Sequence, residues 1–351
     1  MSLPCGVRNY NYAQDMAILR TGTHWVLLIV FLIVLFTVPL YFSNFWLKVF
    51  SSIGIVLIAA LGLNILVGFC GQLSIGHVGF IAVGAYTSAI LTNRFEMPFL
   101  LGLISAGVIA GVVGIIFGLP SVRVKGFYLA ITTIAAQFII IWIINHWGLT
   151  GGFQGISVPY ASIGGLVFDN NLKQFYLVMV IVVLCVFLAK NLVRTKVGRA
   201  FIAIRDNDLA AEVMGINTLK YKLLAFFIGC FFAGIAGSLL AHTTYTLSGE
   251  QFSFSDSILY VGMIIIGGLG TTLGPILGVT IIYLLQKVLL PVYLVPFLEK
   301  TFTNFSAGFA SGVPSLVFGI ILVLFLILEP RGLAHRWALF KAAYRLWPFS
   351  Y

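Results

Sequence analysis

The residues with the most chemical potential lie together between two apolar runs: Gly71-Gln72-Leu73-Ser74-Ile75-Gly76-His77, followed by Gly79, Gly84 and Ala85. Ser74 and His77 stand three apart, so on one helix they would share a face as nucleophile and base. No acid that could orient the histidine is near in sequence, and a serine capping a helix beside a histidine that hydrogen-bonds a neighbour is the better reading. Polar side chains and glycines at membrane depth suit irregular backbone lining a cavity, where a half-helix N-terminus attracts a carboxylate without a buried cation. Small-residue packing between helices is the competing use of the same glycines.

A second constellation reads Arg205-Asp206-Asn207-Asp208-Leu209-Ala210-Ala211-Glu212-Val213-Met214-Gly215-Ile216-Asn217. Asp208 can serve as N-cap, Glu212 favours the positive helix start and Gly215 suits a left-handed stop, which predicts a helix of under two turns. So short a helix is marginal alone in water. Docking to a partner or a solvated charged loop would each account for it.

Other chemistry is missing from the sequence. There is no His-Glu-x-x-His and no Gly-x-x-x-x-Gly-Lys-Ser/Thr, and His24, His77, His146, His242 and His335 sit far apart. An ion-coupled carrier would keep a carboxylate in the membrane, at a cost of at least about 2.5–3.5 kcal/mol. All ten acids, Asp256 among them, fall in loops or at the ends of apolar runs. The cysteines, Cys5, Cys70, Cys185 and Cys230, have no paired spacing for a disulfide framework or zinc.

These residues must be held by an apolar scaffold. Of 351 residues 60% are hydrophobic and 9% charged, against roughly 45–50% and about 25% in soluble domains. That excludes a soluble fold, and the mean hydropathy of +1.09 predicts an all-α polytopic membrane protein. Ten runs approach span length: 25–42, 49–68, 74–92, 98–119, 127–146, 174–192, 223–242, 256–270, 271–290 and 313–329. The third is dotted with glycine, and the eighth and ninth are parted only by Gly270-Thr271-Thr272, so these three read as broken or re-entrant. Spans two to five and seven to ten each hold such a break and start on opposite sides, which is compatible with an inverted repeat.

The net charge of +10 suits the cytoplasmic face of a membrane better than nucleic acid. With the N-terminus inside, simple alternation assigns fifteen of the twenty Lys and Arg residues to the inner side, and both termini are then cytoplasmic. Trp25 to Phe42 is too long for a signal-peptide core and reads as a retained span.

The same residues carry a resemblance. Gly68-Phe69-Cys70-Gly71-Gln72-Leu73-Ser74-Ile75-Gly76-His77-Val78-Gly79-Phe80, then Gly84-Ala85-Tyr86, resembles the signature of the LivM-type permeases of branched-chain amino acid ABC importers. Thr150-Gly151-Gly152 with Gly155-Ile156, then Gly198-Arg199-Ala200-Phe201 through Asp206, Ala210-Ala211 and Gly215, then Gly267-Gly268-Leu269-Gly270-Thr271 with Gly274-Pro275, agree in the same order, from about residue 49 to 333.

The resemblance implies a non-enzymatic permease subunit in the cell inner membrane, forming half of a translocation pathway. It implies as partners a homologous second permease, two cytoplasmic ATPases and an extracytoplasmic substrate-binding protein. ATP and magnesium would be bound by those ATPases, with no cofactor or metal in this chain and no nucleic acid. The expected organisation is a cytoplasmic segment 1–24, a transmembrane domain 25–330 with an outer loop 145–173 and an internal coupling loop 194–222, and a cytoplasmic tail 331–351. Arg205, Asp206, Asp208, Glu212 and Gly215 are then expected to engage an ATPase, and Gly71, Gln72, Ser74, Gly76, His77, Gly267, Gly268 and Gly270 to line the pathway. Related permeases of the group carry urea or other amino acids, which keeps those substrates open. An ion-coupled carrier is the remaining alternative.

Overall fold

A computed structural model describes residues 22–122, 126–294, 296 and 307–346 of the chain. The expected N-terminal segment 1–24 lies almost wholly outside the described residues, as does the tail beyond 346. Every one of the ten apolar runs coincides with a helix. These are α1 (Gly22–Thr37), α2 (Asn44–Leu63), α3 (His77–Arg94), α4 (Phe99–Gly118), α5 (Phe127–His146), α6 (Asn171–Arg194), α9 (Thr218–Thr244), α10 (Phe254–Gly267), α11 (Gly274–Leu284) and α12 (Ala307–Leu328). Two wider π-type turns prolong α2 through Asn64–Phe69 and α11 through Leu285–Leu294. Six helical segments among the described residues are long and apolar enough to cross a bilayer, or seven if the pair Ser315–Leu328 and Leu333–Tyr344, bent by 48°, counts as one.

The short members have a plain physical reason. At 1.5 Å per residue the 14 residues of α10 reach only about 21 Å, short of a hydrocarbon core of about 30 Å. The glycine and polar residues at the start of α3 likewise dilute its apolar character.

α9 is the axis of the bundle, with α2, α3 and α4 packed around it. Hydrophobic pressure does little between helices in lipid, so close backbone approach has to hold them together. A Cβ on Gly62 would meet the Gly229 carbonyl, and one on Gly84 or Gly237 would strike the facing backbone of Gly234 or Ile81. Around these contacts Phe80, Phe226, Leu239 and Leu66 are fully buried.

The loops depart from the expectation in two ways. Residues 145–173 enter two short antiparallel ladders: β1 (Ile156–Ser157) pairs with β4 (Thr246–Leu247), which follows α9, with Ile156 opposite Leu247, and β2 (Ser162–Ile163) pairs with β3 (Leu166–Val167). The internal segment folds into two helices rather than one, α7 (Lys196–Asp206) and α8 (Asp208–Val213). Thr195 caps α7, its hydroxyl accepting from the Gly198 amide. The tail forms α13 (Leu333–Leu346), whose start lies against Gly268.

Candidate functional site

The first glycine break begins where α2 runs out. From Gly71 to Gly76 no helix forms, and Gly71 holds φ +71°, a conformation that costs residues with a Cβ but not glycine. The Ile75 amide donates to Thr133 Oγ1 at 3.0 Å. A Cβ on Gly76 would overlap the Thr133 carbonyl, so this strand of chain lies directly on α5. α3 starts at His77, with the Val78 amide donating to Ser257 Oγ at 3.1 Å on α10.

His77 is completely buried, its Nε2 3.0 Å from the Ala59 carbonyl. A carbonyl only accepts, so Nε2 carries the proton and Nδ1 is left as an acceptor, without a partner among the described residues. Ser74 is equally buried and its hydroxyl also lacks a partner; Gln72 is buried with Nε2 3.4 Å from the Cys70 carbonyl. Ser74 does not cap α3, since Gly76 is the residue at that helix start and makes no side-chain bond. The three polar side chains are packed between helices here.

The second break meets the first at one end. Asn64, in the wide turn that prolongs α2, accepts from the Gly270 amide at 3.0 Å and donates through Nδ2 to the Thr271 carbonyl at 2.9 Å. Arg205 Nη1 donates to the Gly68 carbonyl at 3.0 Å. The rest of its guanidinium is held by Asp206, with Nε and Nη2 at 3.0 and 2.8 Å from Oδ1. Gly71 lies against Arg205 as well, where a Cβ would come within 3.0 Å of its Cγ. Two sets of residues that the sequence assigns to separate jobs, the glycines of the breaks and the charged end of α7, therefore share one junction. Gly267 instead abuts Gly274, and Gly268 faces Arg331 and Ala334 at the start of the tail.

α8 differs from the expectation at its start. Asn207 is the N-cap, its side chain accepting from the Ala210 amide at 3.1 Å. Asp208 sits inside the first turn, paired with Lys222 Nζ at 2.8 Å at the foot of α9. The lysine is nearly fully buried, so the pair ties α8 to the bundle. Gly215 has φ +84°, as the left-handed stop requires. Glu212 is exposed, and so are the apolar Leu209, Val213 and Met214, at 70%, 89% and 82%.

Sequence reasoning missed two polar groups. One is a thread in which Ser238 Oγ donates to Ser88 Oγ, Ser88 Oγ lies 3.1 Å from His242 Nε2, and His242 Nδ1 lies 2.9 Å from the Pro159 carbonyl. It fastens α3 and α9 to the outer loop. The other is a cavity of about 240 Å³ between α2, α3, α9, α10 and α11, whose polar lining is Gln251, Asp256, Tyr260, Tyr283 and Lys287.

The depth of that cavity follows from α5. Gly249 lies against the Asn145 side chain near the C-terminal end of α5. Gln137 donates through Nε2 to the Phe252 carbonyl and accepts from Ser257 Oγ at 2.8 Å. Eight residues of helix separate Asn145 from Gln137, about 12 Å at 1.5 Å per residue. The chain therefore runs from the C-terminal end of α5 to its middle before α10 begins. Asp256 is at a helix end, as read from the sequence, and that end lies beside the middle of α5.

The protein-family model of the branched-chain amino acid transport system permease component matches residues 45–326 of the chain. The high-affinity branched-chain amino acid transport system permease protein LivM of Salmonella typhimurium is 31% identical over 304 residues, covering 80% of this chain and 67% of that protein. LivM of Escherichia coli K12 is 32% identical over the same length and shares. The LivH permease of Escherichia coli K12 is 26% identical over 236 residues, 62% of this chain and 76% of that one. No solved structure matches.

Proposed function

The chain belongs to the branched-chain amino acid transport system permease family, and from that premise we propose that it is one permease subunit of an ATP-driven importer that brings branched-chain amino acids across the cell inner membrane. It is a transport subunit and not an enzyme. A homologous second permease completes the pathway, two cytoplasmic ATPases bind ATP and magnesium, and an extracytoplasmic binding protein delivers substrate. We read ten passes with both termini cytoplasmic, so that residues 25–330 form the transmembrane domain and residues 331–351 a cytoplasmic tail.

The observation that carries this reading is the junction. α7 and α8 lie at one end of the bundle, and Arg205 at the end of α7 bonds the carbonyl of Gly68 beside both glycine breaks. On the ATPase side α8 offers Leu209, Val213 and Met214, apolar groups that a partner would cover. A push on α8 is transmitted through Asp208 and Lys222 to α9. It also pulls Arg205 away from Gly68 and loosens the contact of Asn64 with Gly270 and Thr271. The pathway would then open along the two breaks, with Gly71, Gln72, Ser74, Gly76 and His77 on one side and Gly267, Gly268 and Gly270 on the other.

An inverted repeat is supported by the same geometry. α2 ends in a break and is followed by α3, and α9 ends in a dipping segment followed by the short helix α10. The starts of α3 and α10 meet at Ser257 and Gln137.

The test is reconstitution of the complete importer in vesicles, with uptake of leucine, valine and urea measured with and without ATP. ATP-dependent leucine uptake that needs the ATPases is expected. Uptake of urea without amino acids would move the substrate to small amides. Uptake by this chain alone on an ion gradient would overturn the ATP-driven reading.

A further inference from the structure

We propose that the cavity between α2, α3, α9, α10 and α11 is an amino-acid site, in which Asp256 receives the α-ammonium and Lys287 the α-carboxylate. The inference rests on the amino-acid permease reading and adds to it where, and by which groups, this chain holds the substrate.

Three observations converge on it. The cavity has one side chain of each charge in its lining, Asp256 from the first turn of α10 and Lys287 from the prolonged end of α11. No ion pair among the described residues closes one onto the other: Asp256 Oδ2 accepts only from Ser253 Oγ at 2.7 Å, and the described pairs are Lys173–Asp169, Arg205–Asp206, Lys222–Asp208 and Arg336–Glu329. Apart from Gln251, Tyr260 and Tyr283, the remaining wall is apolar, with Val78, Ile81, Leu240 and Met263 among its side chains.

Each feature selects against a different ligand. A lone cation needs the carboxylate and has no use for a lysine. Urea, neutral and wholly polar, has nothing to set against four aliphatic or thioether side chains. Two opposite charges with an apolar wall between them match a zwitterion with an aliphatic side chain. Asp256 is half-buried and Lys287 exposed, so both charges are accessible to a ligand, and a bound amino acid supplies a partner for each at once. A volume of about 240 Å³ equals about eight waters at ~30 Å³ each, which is the scale of a small amino acid rather than a peptide.

The experiment uses the complete importer. For Asp256→Asn and Lys287→Met, leucine uptake should fall about tenfold or more, as expected for loss of a charged hydrogen bond, while stimulation of ATP hydrolysis by the binding protein persists. Uptake by both variants within twofold of the parent would overturn the site. An independent measurement keeps both charges. With Cys5, Cys70, Cys185 and Cys230 replaced, a single Leu259→Cys on the cavity wall is alkylated in the assembled complex. Leucine should slow that reaction severalfold, whereas isocaproate, isoamylamine and urea, each lacking one or both charges, should not. Alkylation unaffected by leucine, in a complex that still imports leucine, would overturn the site and leave the permease reading standing. Failure of the parent complex to import any amino acid would instead sink the permease reading.

Discussion

The junction at one end of the bundle and the cavity beside α10 are both built from broken helices, yet they treat polar groups in opposite ways. At the junction the freed backbone groups are matched within the protein: Asn64 serves Gly270 and Thr271, and Arg205 serves Gly68. In the cavity, Asp256 is half-buried and Lys287 exposed, and no ion pair among the described residues joins them. An unmatched polar group away from water costs about 1–3 kcal/mol or more. A satisfied break therefore acts as a closed seal, and a break that keeps charges toward a cavity is a place for a ligand.

Expected effects rank along that contrast. The largest belongs to the pair that ties α8 to α9. Asp208→Ala leaves Lys222 almost fully buried without its carboxylate, and breaking a buried pair costs about 3 kcal/mol at the low end of the usual range. Asp208 is itself partly exposed, which argues for that low end. We expect a fall of several degrees in the thermal midpoint of the purified protein, with partial rescue by Lys222→Met in the same chain. An unchanged midpoint would mean that the tie is not structural.

Next comes Asn64→Leu, which removes both bonds to the second break. A loss of about 1–3 kcal/mol in stability should appear together with ATP hydrolysis that no longer depends on loaded binding protein, because the seal no longer opposes opening. Hydrolysis still fully dependent on loaded binding protein would place the seal elsewhere.

A smaller, purely interfacial effect is expected for Leu209→Asp with Val213→Asp. Both side chains are exposed, so the permease should keep its thermal midpoint while recovering less ATPase on co-purification. Equal recovery would remove α8 from the docking surface.

The smallest effect is predicted at the outer loop. The hydrogen bond from Lys173, at 2.7 Å, holds the exposed Asp169 carboxyl below its usual range. A lowered folded value means that any contribution is present above the unfolded value and is lost only as pH falls through the folded one. Uptake between about pH 6 and 8 should thus be the same for Asp169→Asn and the parent, since exposed pairs contribute little. A difference in that window would assign the loop a part in delivery.

Much of this architecture was legible in the residues. Runs of apolar side chains located every helix of the bundle, because burying backbone in lipid demands helix wherever such a run occurs. Glycine spacing located both breaks, and Gly215 located the end of α8, because only glycine adopts those dihedrals cheaply. The N-cap of α8 was misread by one residue: Asn207 and Asp208 are both good caps, and the choice fell to Lys222, fourteen residues along the chain, which claims the aspartate.

The larger misses concern depth and facing. Ser74 and His77 stand out by type, yet the structure packs His77 against Ala59, and no alternation in so uniformly apolar a helix tells packing face from pathway face. Asp256 reads as a surface acid because it begins an apolar run, and it comes to lie beside the middle of α5 because the chain between Gly249 and Ser253 runs along that helix. The sequence by itself determined which segments are helical, where they break and to which family the chain belongs, since all three depend on local residue type and order. Only the tertiary structure decided that Asn64 and Arg205 join the two breaks and that Asp256 and Lys287 share a cavity. Those partners are separated by about 30 to more than 200 positions in the chain, and only the packed path of the backbone brings them together.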